Sequence, residues 1–244
     1  GCTEYGNCSV NSVVYSSDGK TIVTATEAGT AHVWDATTGQ EVRQIIGHTS
    51  DIRSAAYSPD GKQIITASGD GTARIWDAAT GQEVHQLLPV TDLARYVSTA
   101  AYSPDGRFIV TVTELDGTAR VWDAAKKQEI RQLRSFGCYE SGEFPAGCGV
   151  MSAAYSSDSQ HIVTGNVDGT MHIWDANTGQ EVRQIGGHGC IGSGCDVNSA
   201  AYSPDGKQIV TTGDDGTARI WGAATGQEVR QLRGHTDEVT SAGY

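Results

Sequence analysis

Six cysteines are the residues of this chain whose type and spacing are most suited to chemistry, and they fall into three local pairs. The pairs are Cys2 and Cys8, Cys138 and Cys148, and Cys190 and Cys195. The second member of each pair stands two residues before a short apolar run, which begins at Val10, Val150 or Val197. An even number of cysteines, paired locally at a repeated position, predicts disulfide bonds that close three short loops.

Two other interpretations of these cysteines remain open. In one, all six are reduced thiols. In the other, zinc takes nitrogen, sulfur and oxygen ligands from His188, Cys190, Cys195 and Asp196. The chain has no Cys-x-x-Cys spacing and no Cys-x-x-Cys-His haem motif. We therefore expect neither a metal nor a cofactor.

The cysteines and the charge of the chain bear on where it works and what it binds. Oxidised cysteines predict an extracytoplasmic or cell-surface location, whereas reduced cysteines fit the cytoplasm. The chain has 17 lysines and arginines against 29 acidic residues, which gives a net charge of −12. That charge disfavours duplex nucleic acid or an anionic membrane surface as a partner. No apolar run approaches the length of a membrane span.

The elements that must hold these loops belong to a repeated unit. Nearly the same sequence motif, such as DGTARIWD or DGTMHIWD, recurs five times. Its tryptophans are Trp34, Trp76, Trp122, Trp174 and Trp221. The spacings are 42, 46, 52 and 47 residues, which indicates a repeat architecture. The repetition also argues against catalysis by these residues, because an active site needs one copy of each group.

The second repeat shows the pattern of every unit. Its β-favouring runs lie at 52–57, 64–67, 72–76 and 83–87, separated by the turn signals SPDG, DG and TG. In these turns proline sets φ and glycine tolerates φ > 0. Four antiparallel strands joined by tight turns are typical of a propeller blade. The sequence therefore predicts an all-β fold, a β-propeller of four-stranded antiparallel blades.

We expect a single domain over residues 1–244, with five complete blades and the first strand of a sixth. The blades should span about 10–46, 52–88, 97–134, 150–186 and 197–233, and residues 234–244 should begin the sixth repeat. Two interpretations of this ending remain open. Either five blades close a ring and the last strand pairs with another molecule, or the sequence is a piece of a longer chain.

These residues resemble the WD-repeat family of β-propellers. The resemblance lies in a Gly-His pair, a turn Asp and a closing Trp-Asp, which recur in this order from about Val10 onwards. It implies that a His, a Ser or Thr, an Asp and the Trp form a hydrogen-bonded set inside a blade, with a structural role. The complete sets are His48, Thr66, Asp70 and Trp76 in the second repeat, and His188, Thr211, Asp215 and Trp221 in the fifth.

The chain departs from the family pattern in several repeats. Ala28 stands where the first repeat should have its turn Asp, and Gly222 replaces the Asp that should follow the last Trp. The third and fourth repeats lack the Gly-His pair. We expect these blades to depend more on packing than on the polar set.

The resemblance further implies that the loops between blades share one face, which commonly binds partners. The longest insertion, 135–149, lies there and mixes aromatic with acidic residues. One inner-strand position also varies among repeats whose neighbouring positions do not. The candidate partner-binding residues are Asn11, Arg53, Arg95, Met151, Asn198, Phe136, Tyr139 and Phe144.

We therefore expect a non-enzymatic scaffold or interaction protein that binds protein partners, or copies of itself as a homo-oligomer, through this face. Two alternatives remain open. One is a carbohydrate-binding propeller with a similar pocket in each blade, and the other is a cofactor-binding or accessory subunit of an enzyme complex. No single-copy constellation of nucleophile, base and orienting group supports an enzyme, and the fold alone supplies no function.

Overall fold

A computed structural model describes residues 9–88, 96–113, 117–134, 149–189 and 196–244, and within these ranges it contains strands and no helix. The predicted all-β class is confirmed. Among the described residues, no helix has the length and apolarity that a bilayer crossing requires.

The strands form five four-stranded antiparallel sheets. The first sheet comprises β1 (Val10–Tyr15), β2 (Thr21–Thr26), β3 (Thr30–Asp35) and β4 (Glu41–Ile46). The second comprises β5 (Ile52–Tyr57), β6 (Gln63–Ser68), β7 (Ala73–Asp77) and β8 (Glu83–Leu87). The third comprises β9 (Val97–Tyr102), β10 (Phe108–Thr113), β11 (Thr118–Asp123) and β12 (Gln128–Leu133).

The last two sheets follow the same plan. The fourth comprises β13 (Val150–Tyr155), β14 (His161–Asn166), β15 (Thr170–Asp175) and β16 (Glu181–Gly186). The fifth comprises β17 (Val197–Tyr202), β18 (Gln208–Gly213), β19 (Ala218–Gly222) and β20 (Glu228–Leu232). In each sheet the strands lie side by side in chain order, as the blades of a β-propeller do.

The turn between the first two strands of a sheet is built by its own side chains. The Ser58 hydroxyl donates to Asp60 Oδ1 at 2.7 Å, and Gly61 takes the left-handed φ of 70° that closes the turn. The hydrogen bond from Ser58 and the backbone amide of Lys62 lower the pKa of Asp60. In the fourth sheet the non-glycine residue Ser159 adopts the same φ, 61°. The SPDG signal therefore acts through a serine–aspartate contact as well as through glycine.

The contacts divide the chain into two compact units, the first holding β1 to β10 and the second holding β13 to β20. In the first unit Trp76 packs with Val23, Val33, Ile45 and Ile52, so one core lies between the first and second sheets. In the second unit Trp221 packs with the corresponding residues of the fourth sheet, such as Val163 and Ile185. The single domain expected over 1–244 stays a prediction.

Residues 234–244, all of them described, form no strand, although the sequence predicts a first strand there. In each complete sheet the first strand pairs with the second, as β5 does with β6. The described contacts of this segment with the last sheet include a hydrogen bond from the Val239 amide to the Gly213 carbonyl at 3.2 Å.

Candidate functional site

The expected polar set of the second sheet is brought together by the end of the first sheet and by β6 and β7. His48 Nδ1 lies 2.8 Å from Asp70 Oδ2, and its Nε2 lies 2.7 Å from the Thr66 hydroxyl. Thr66 Oγ1 also accepts the indole N–H of Trp76 at 2.8 Å. One hydroxyl therefore satisfies two buried rings, which is the arrangement that a buried indole and imidazole require.

The carboxylate of this set is held in its charged form. Burial by itself raises the pKa of Asp70, but hydrogen bonds from His48, Thr72 and the Thr49 amide outweigh burial and bring the pKa well below the ordinary range. Arg74 adds an ion pair to Asp70 at 3.4 Å. The charge of Asp70 is thus neutralised inside the sheet.

The fifth sheet repeats the geometry. His188 contacts Asp215 at 2.8 Å and Thr211 at 2.9 Å, and the Trp221 indole donates to Thr211 at 2.8 Å. Burial lowers the pKa of His188 by more than the hydrogen bond that the ring makes to the Asp215 carboxylate raises it. Burial favours a neutral imidazole, as the hydrogen-bond pattern requires.

These sets resemble a hydrolase triad in composition but not in access. The side chains of His48 and His188 have no exposed surface, and Thr66 and Thr211 are fully buried. A nucleophile must reach its substrate, and each hydroxyl here is already committed to an indole and an imidazole. The arrangement supports a structural role for both sets.

The other three sheets keep only part of the set. The indole N–H of Trp34, Trp122 or Trp174 donates to a threonine of its second strand at 2.9 to 3.0 Å. In the first and fourth sheets a histidine, His32 or His172, stacks on the Trp with ring centroids 5.7 Å apart. These two histidines are not among the site residues that the sequence predicts. The signal was the residue two places before each Trp, which is His here and Arg in the other repeats.

The varying inner-strand residues make different contacts. Asn11 Nδ2 donates to the Ile52 carbonyl at 3.0 Å, and Asn198 Nδ2 donates to Asp214 Oδ1 at 2.9 Å and to the Val239 carbonyl at 3.3 Å. Met151 is half-buried in β13. The two asparagines therefore bond within the chain.

Arg53 is the varying residue with the most distinctive surroundings. Its Nε donates to Asp51 Oδ2 at 3.0 Å, and its guanidinium lies 5.1 Å from the centroid of the Tyr96 ring. Tyr96 is not among the site residues that the sequence predicts. The signal was a tyrosine directly before an inner strand, where the other repeats have Ser9, Asp51, Gly149 and Asp196.

The remaining candidates lie outside the described residues. These are Arg95, Phe136, Tyr139 and Phe144, and the six cysteines, Cys2, Cys8, Cys138, Cys148, Cys190 and Cys195. Within the described ranges, no group of three or more His, Cys, Asp or Glu side chains is arranged to hold a metal ion. Both ring nitrogens of His188 are engaged by Asp215 and Thr211, which leaves neither for the zinc alternative.

A cleft of about 540 Å³ lies between the first and second sheets. Its lining carries charges of both signs, and Lys20 and Lys62 approach Asp18 and Asp60 at 3.6 Å each. Because the charges largely pair with one another, the cleft selects no particular ligand charge.

Two comparisons with known proteins bear on this chain. The family model described as "WD domain, G-beta repeat" matches residues 2–35, 39–77, 85–123, 139–175 and 179–222. Together these segments cover well over half of the chain. A search of curated proteins found no match.

Proposed function

This chain belongs to the WD-repeat family, and from that membership we propose that it is a non-enzymatic scaffold that binds a protein partner through the loops between its blades. WD repeats generally mediate protein–protein interaction or scaffolding. The proposal places the contact at the start of the second and third inner strands, where Arg53 and Tyr96 lie.

The observation that carries the proposal is the contact of Arg53 with Tyr96 and Asp51. Arginine and tyrosine dominate the residues that contribute most to protein interfaces. The Arg53 side chain is 32% exposed and Tyr96 is 38% exposed, so both present surface to a partner. Burial raises the pKa of Asp51, but hydrogen bonds from Ser50 and Arg53 lower it by more. The pKa of Asp51 therefore lies below its ordinary value. The ionised carboxylate holds the guanidinium in place before a partner arrives.

The pair is also a single-copy feature of a repetitive chain. Where the second repeat has Arg53, the others have Asn11, Ser98, Met151 and Asn198. Two of these, Asn11 and Asn198, donate hydrogen bonds to a neighbouring segment of their own unit. A partner that recognises one point of a repeat protein needs a residue that the other repeats lack.

A capture experiment tests the proposal. Immobilised wild-type protein, Arg53→Ala and the control Arg230→Ala, which removes an exposed outer-strand arginine, are incubated with a lysate of the source organism. A hot-spot arginine contributes about 2 kcal/mol or more, so recovery of specific proteins should fall by roughly tenfold or more with Arg53→Ala alone. Equal recovery with all three baits would overturn the proposal.

Carbohydrate binding is tested on the same protein with a glycan array. That alternative expects several equivalent weak sites, because each blade offers a similar surface. Glycan binding that survives Arg53→Ala, together with no specific protein recovery, would replace the scaffold proposal. Turnover of substrate in a hydrolase screen would count for an enzymatic role instead.

An extracytoplasmic location is also part of the proposal, and it depends on the cysteines. The intact mass of the denatured protein, before and after reduction, measures their state. A mass that rises by two hydrogens per bridge on reduction supports disulfides and an oxidising compartment. An unchanged mass would remove that support and would favour a cytoplasmic location instead.

A further inference from the structure

The cleft between the first and second sheets of the first unit contains a buried hydrogen-bond donor that is not satisfied. The cleft has a volume of about 540 Å³, which lies within the range of ligand sites in proteins. The Nε atom of Arg43, one of the lining residues, is buried and has no hydrogen-bond partner among the described residues. Buried polar atoms are nearly always hydrogen-bonded, so this donor indicates a bound group that accepts from it.

The equivalent arginine of the fourth sheet shows what such a side chain can bind. Arg183 donates from Nη1 to the Thr225 carbonyl at 3.0 Å and from Nη2 to the Ala224 carbonyl at 3.1 Å. Its planar guanidinium thus holds two successive main-chain carbonyl oxygens of a turn in the next sheet. Arg43 occupies the same position of its own outer strand, β4.

The two arginines start along the same path and differ at the guanidinium. A Cβ added to Gly81 would lie 3.6 Å from Arg43 Cδ, and a Cβ added to the equivalent Gly226 would lie 3.0 Å from Arg183 Cδ. Both side-chain stems therefore lie against the turn between the third and fourth strands of the next sheet. Arg183 ends on the carbonyl oxygens of that turn, whereas Arg43 has its Nε in the cleft.

An ionised carboxylate near Arg43 distinguishes the two places. Asp77 stands in the second sheet where the fifth has Gly222. Hydrogen bonds from Thr80 lower the pKa of Asp77, and the charge of Arg43 lowers it further. The carboxylate therefore offsets the charge of the guanidinium, while the Arg43 Nε stays unsatisfied within the described part of the chain.

The other carboxylates of the cleft are held by their own turns. Asp18 Oδ1 accepts from the Ser16 hydroxyl at 2.7 Å and from the Lys20 amide at 3.0 Å, and Asp60 has both contacts in the second sheet. These hydrogen bonds lower the pKa of both carboxyl groups. With Asp77, an incoming anion would thus meet three ionised carboxylates. A carbonyl oxygen accepts a hydrogen bond without bringing a charge into the cleft.

We propose that this cleft binds a peptide segment of a partner protein, whose main-chain carbonyl oxygens accept hydrogen bonds from the Arg43 guanidinium. A neutral main chain suits a cleft whose own charges offset one another, and main-chain hydrogen bonds are a general source of affinity for peptides. Tyr57, at the end of β5, lines the cleft, whereas Arg53 lies near the start of that strand. The inference therefore adds a second site to the proposed function, and either can fail without the other.

A phage-displayed library of random linear peptides, selected on the wild-type protein, supplies the probe. The selected peptides are synthesised, and calorimetry measures their affinity for each variant. Arg43→Lys keeps the charge but removes Nε and the planar fork, so affinity should fall by about tenfold or more. Arg230→Lys is the matched control, because Arg230 occupies the same position of the fifth sheet and is exposed. Arg53→Ala should leave the affinity unchanged, since it alters the other site.

A second pair of variants tests the cleft without changing its arginine. Ser17 lines the cleft and is exposed, so Ser17→Trp should fill the space and abolish peptide binding. Ser157→Trp makes the same change at the equivalent exposed position of the fourth sheet and should have no effect. Far-UV circular dichroism establishes that each variant is folded. Affinity for the wild type should change little from low to high salt, because the ligand atoms are neutral.

Several outcomes would overturn the proposal. The first is that no peptide is selected, or that the selected peptides bind Arg43→Lys as tightly as wild type. The second is that Ser17→Trp and Ser157→Trp have equal effects. Loss of binding with Arg53→Ala would place the peptides at the other site. Acidic peptides whose affinity falls steeply with salt would indicate an anion site held by charge instead.

Discussion

The Thr66 hydroxyl accepts the indole N–H of Trp76 at 2.8 Å, and the same threonine–tryptophan bond recurs in all five sheets. In the second sheet this hydroxyl also serves His48 at 2.7 Å. The threonine at this position thus supports one ring in some sheets and two in others, and Thr66 is fully buried. That difference sets how much each sheet depends on its threonine.

Replacing Thr66 by valine should destabilise the protein more than the same change at Thr111. Thr66→Val removes the partner of both the Trp76 N–H and the His48 Nε2 atom, whereas Thr111→Val removes the partner of the Trp122 N–H. A buried polar group left without a partner costs about 1–3 kcal/mol, so the two variants should differ by roughly that amount. Urea unfolding measures both free energies of unfolding. Equal losses would show that His48 does not depend on the Thr66 hydroxyl.

Stability should fall as the pH drops below the ordinary histidine pKa of about 6.5, because of His188. Burial lowers the pKa of His188 in the folded state, so the unfolded chain takes up a proton first. The contribution of the neutral ring is present above that pH and is lost as pH falls toward the folded-state pKa. Thermal unfolding between pH 8 and 4 would reveal the decline, and His188→Gln should reduce its slope in that window. The control is His235→Gln, since His235 is exposed, and an identical slope in wild type and His188→Gln would contradict the prediction.

Gly222→Asp should stabilise the fifth sheet by restoring a turn contact. In the second sheet the equivalent Asp77 accepts from the Thr80 amide at 2.7 Å and from its hydroxyl at 2.8 Å. The nearest atom to a Cβ at Gly222 would be the Thr225 hydroxyl oxygen at 2.5 Å, a side-chain end that can rotate onto the new carboxylate. The loss of glycine freedom and the new hydrogen bonds should together add roughly 0.5–1.5 kcal/mol.

Gly222→Ala separates the two contributions to that gain. Alanine removes glycine freedom but supplies no acceptor, so it should stabilise the protein less than aspartate does. If both variants unfold at the same urea concentration, the carboxylate contributes nothing and the proposed turn contact is absent.

Lys127→Gly should stabilise the turn before β12. Lys127 holds a φ of 58°, where the equivalent residues Gly39, Gly81, Gly179 and Gly226 have φ between 69° and 75°. The left-handed conformation costs a non-glycine residue about 1 kcal/mol, which glycine avoids. The urea midpoint should rise for Lys127→Gly and fall for the adjacent control, Lys126→Gly. A fall in both variants would mean that glycine entropy outweighs the relief of strain.

Much of the fold was predictable, and particular residues show why. Residues equivalent to Trp76 and Asp70 and turns like SPDG recur along the chain, so each repeat predicts the same order of strands and turns. The first strand predicted at 234–244 is the exception, because strand formation depends on pairing with another strand, which the residues of the segment do not themselves encode. The sequence also did not show that Asn11 and Asn198 bond within the chain.

What the sequence by itself determined is local: the repeat, four strands per unit, the turn types and the residues of the two polar sets. These features depend on contacts within about one repeat, which periodicity and turn chemistry encode. Only the tertiary structure decided the stacking of His32 on Trp34, the contact of Arg53 with Tyr96 and the burial of Arg43 Nε without a partner among the described residues. Each of these depends on strand register or on the packing of one sheet against the next. Register and packing depend on side chains that lie far apart in the chain, so no local sequence pattern predicts them.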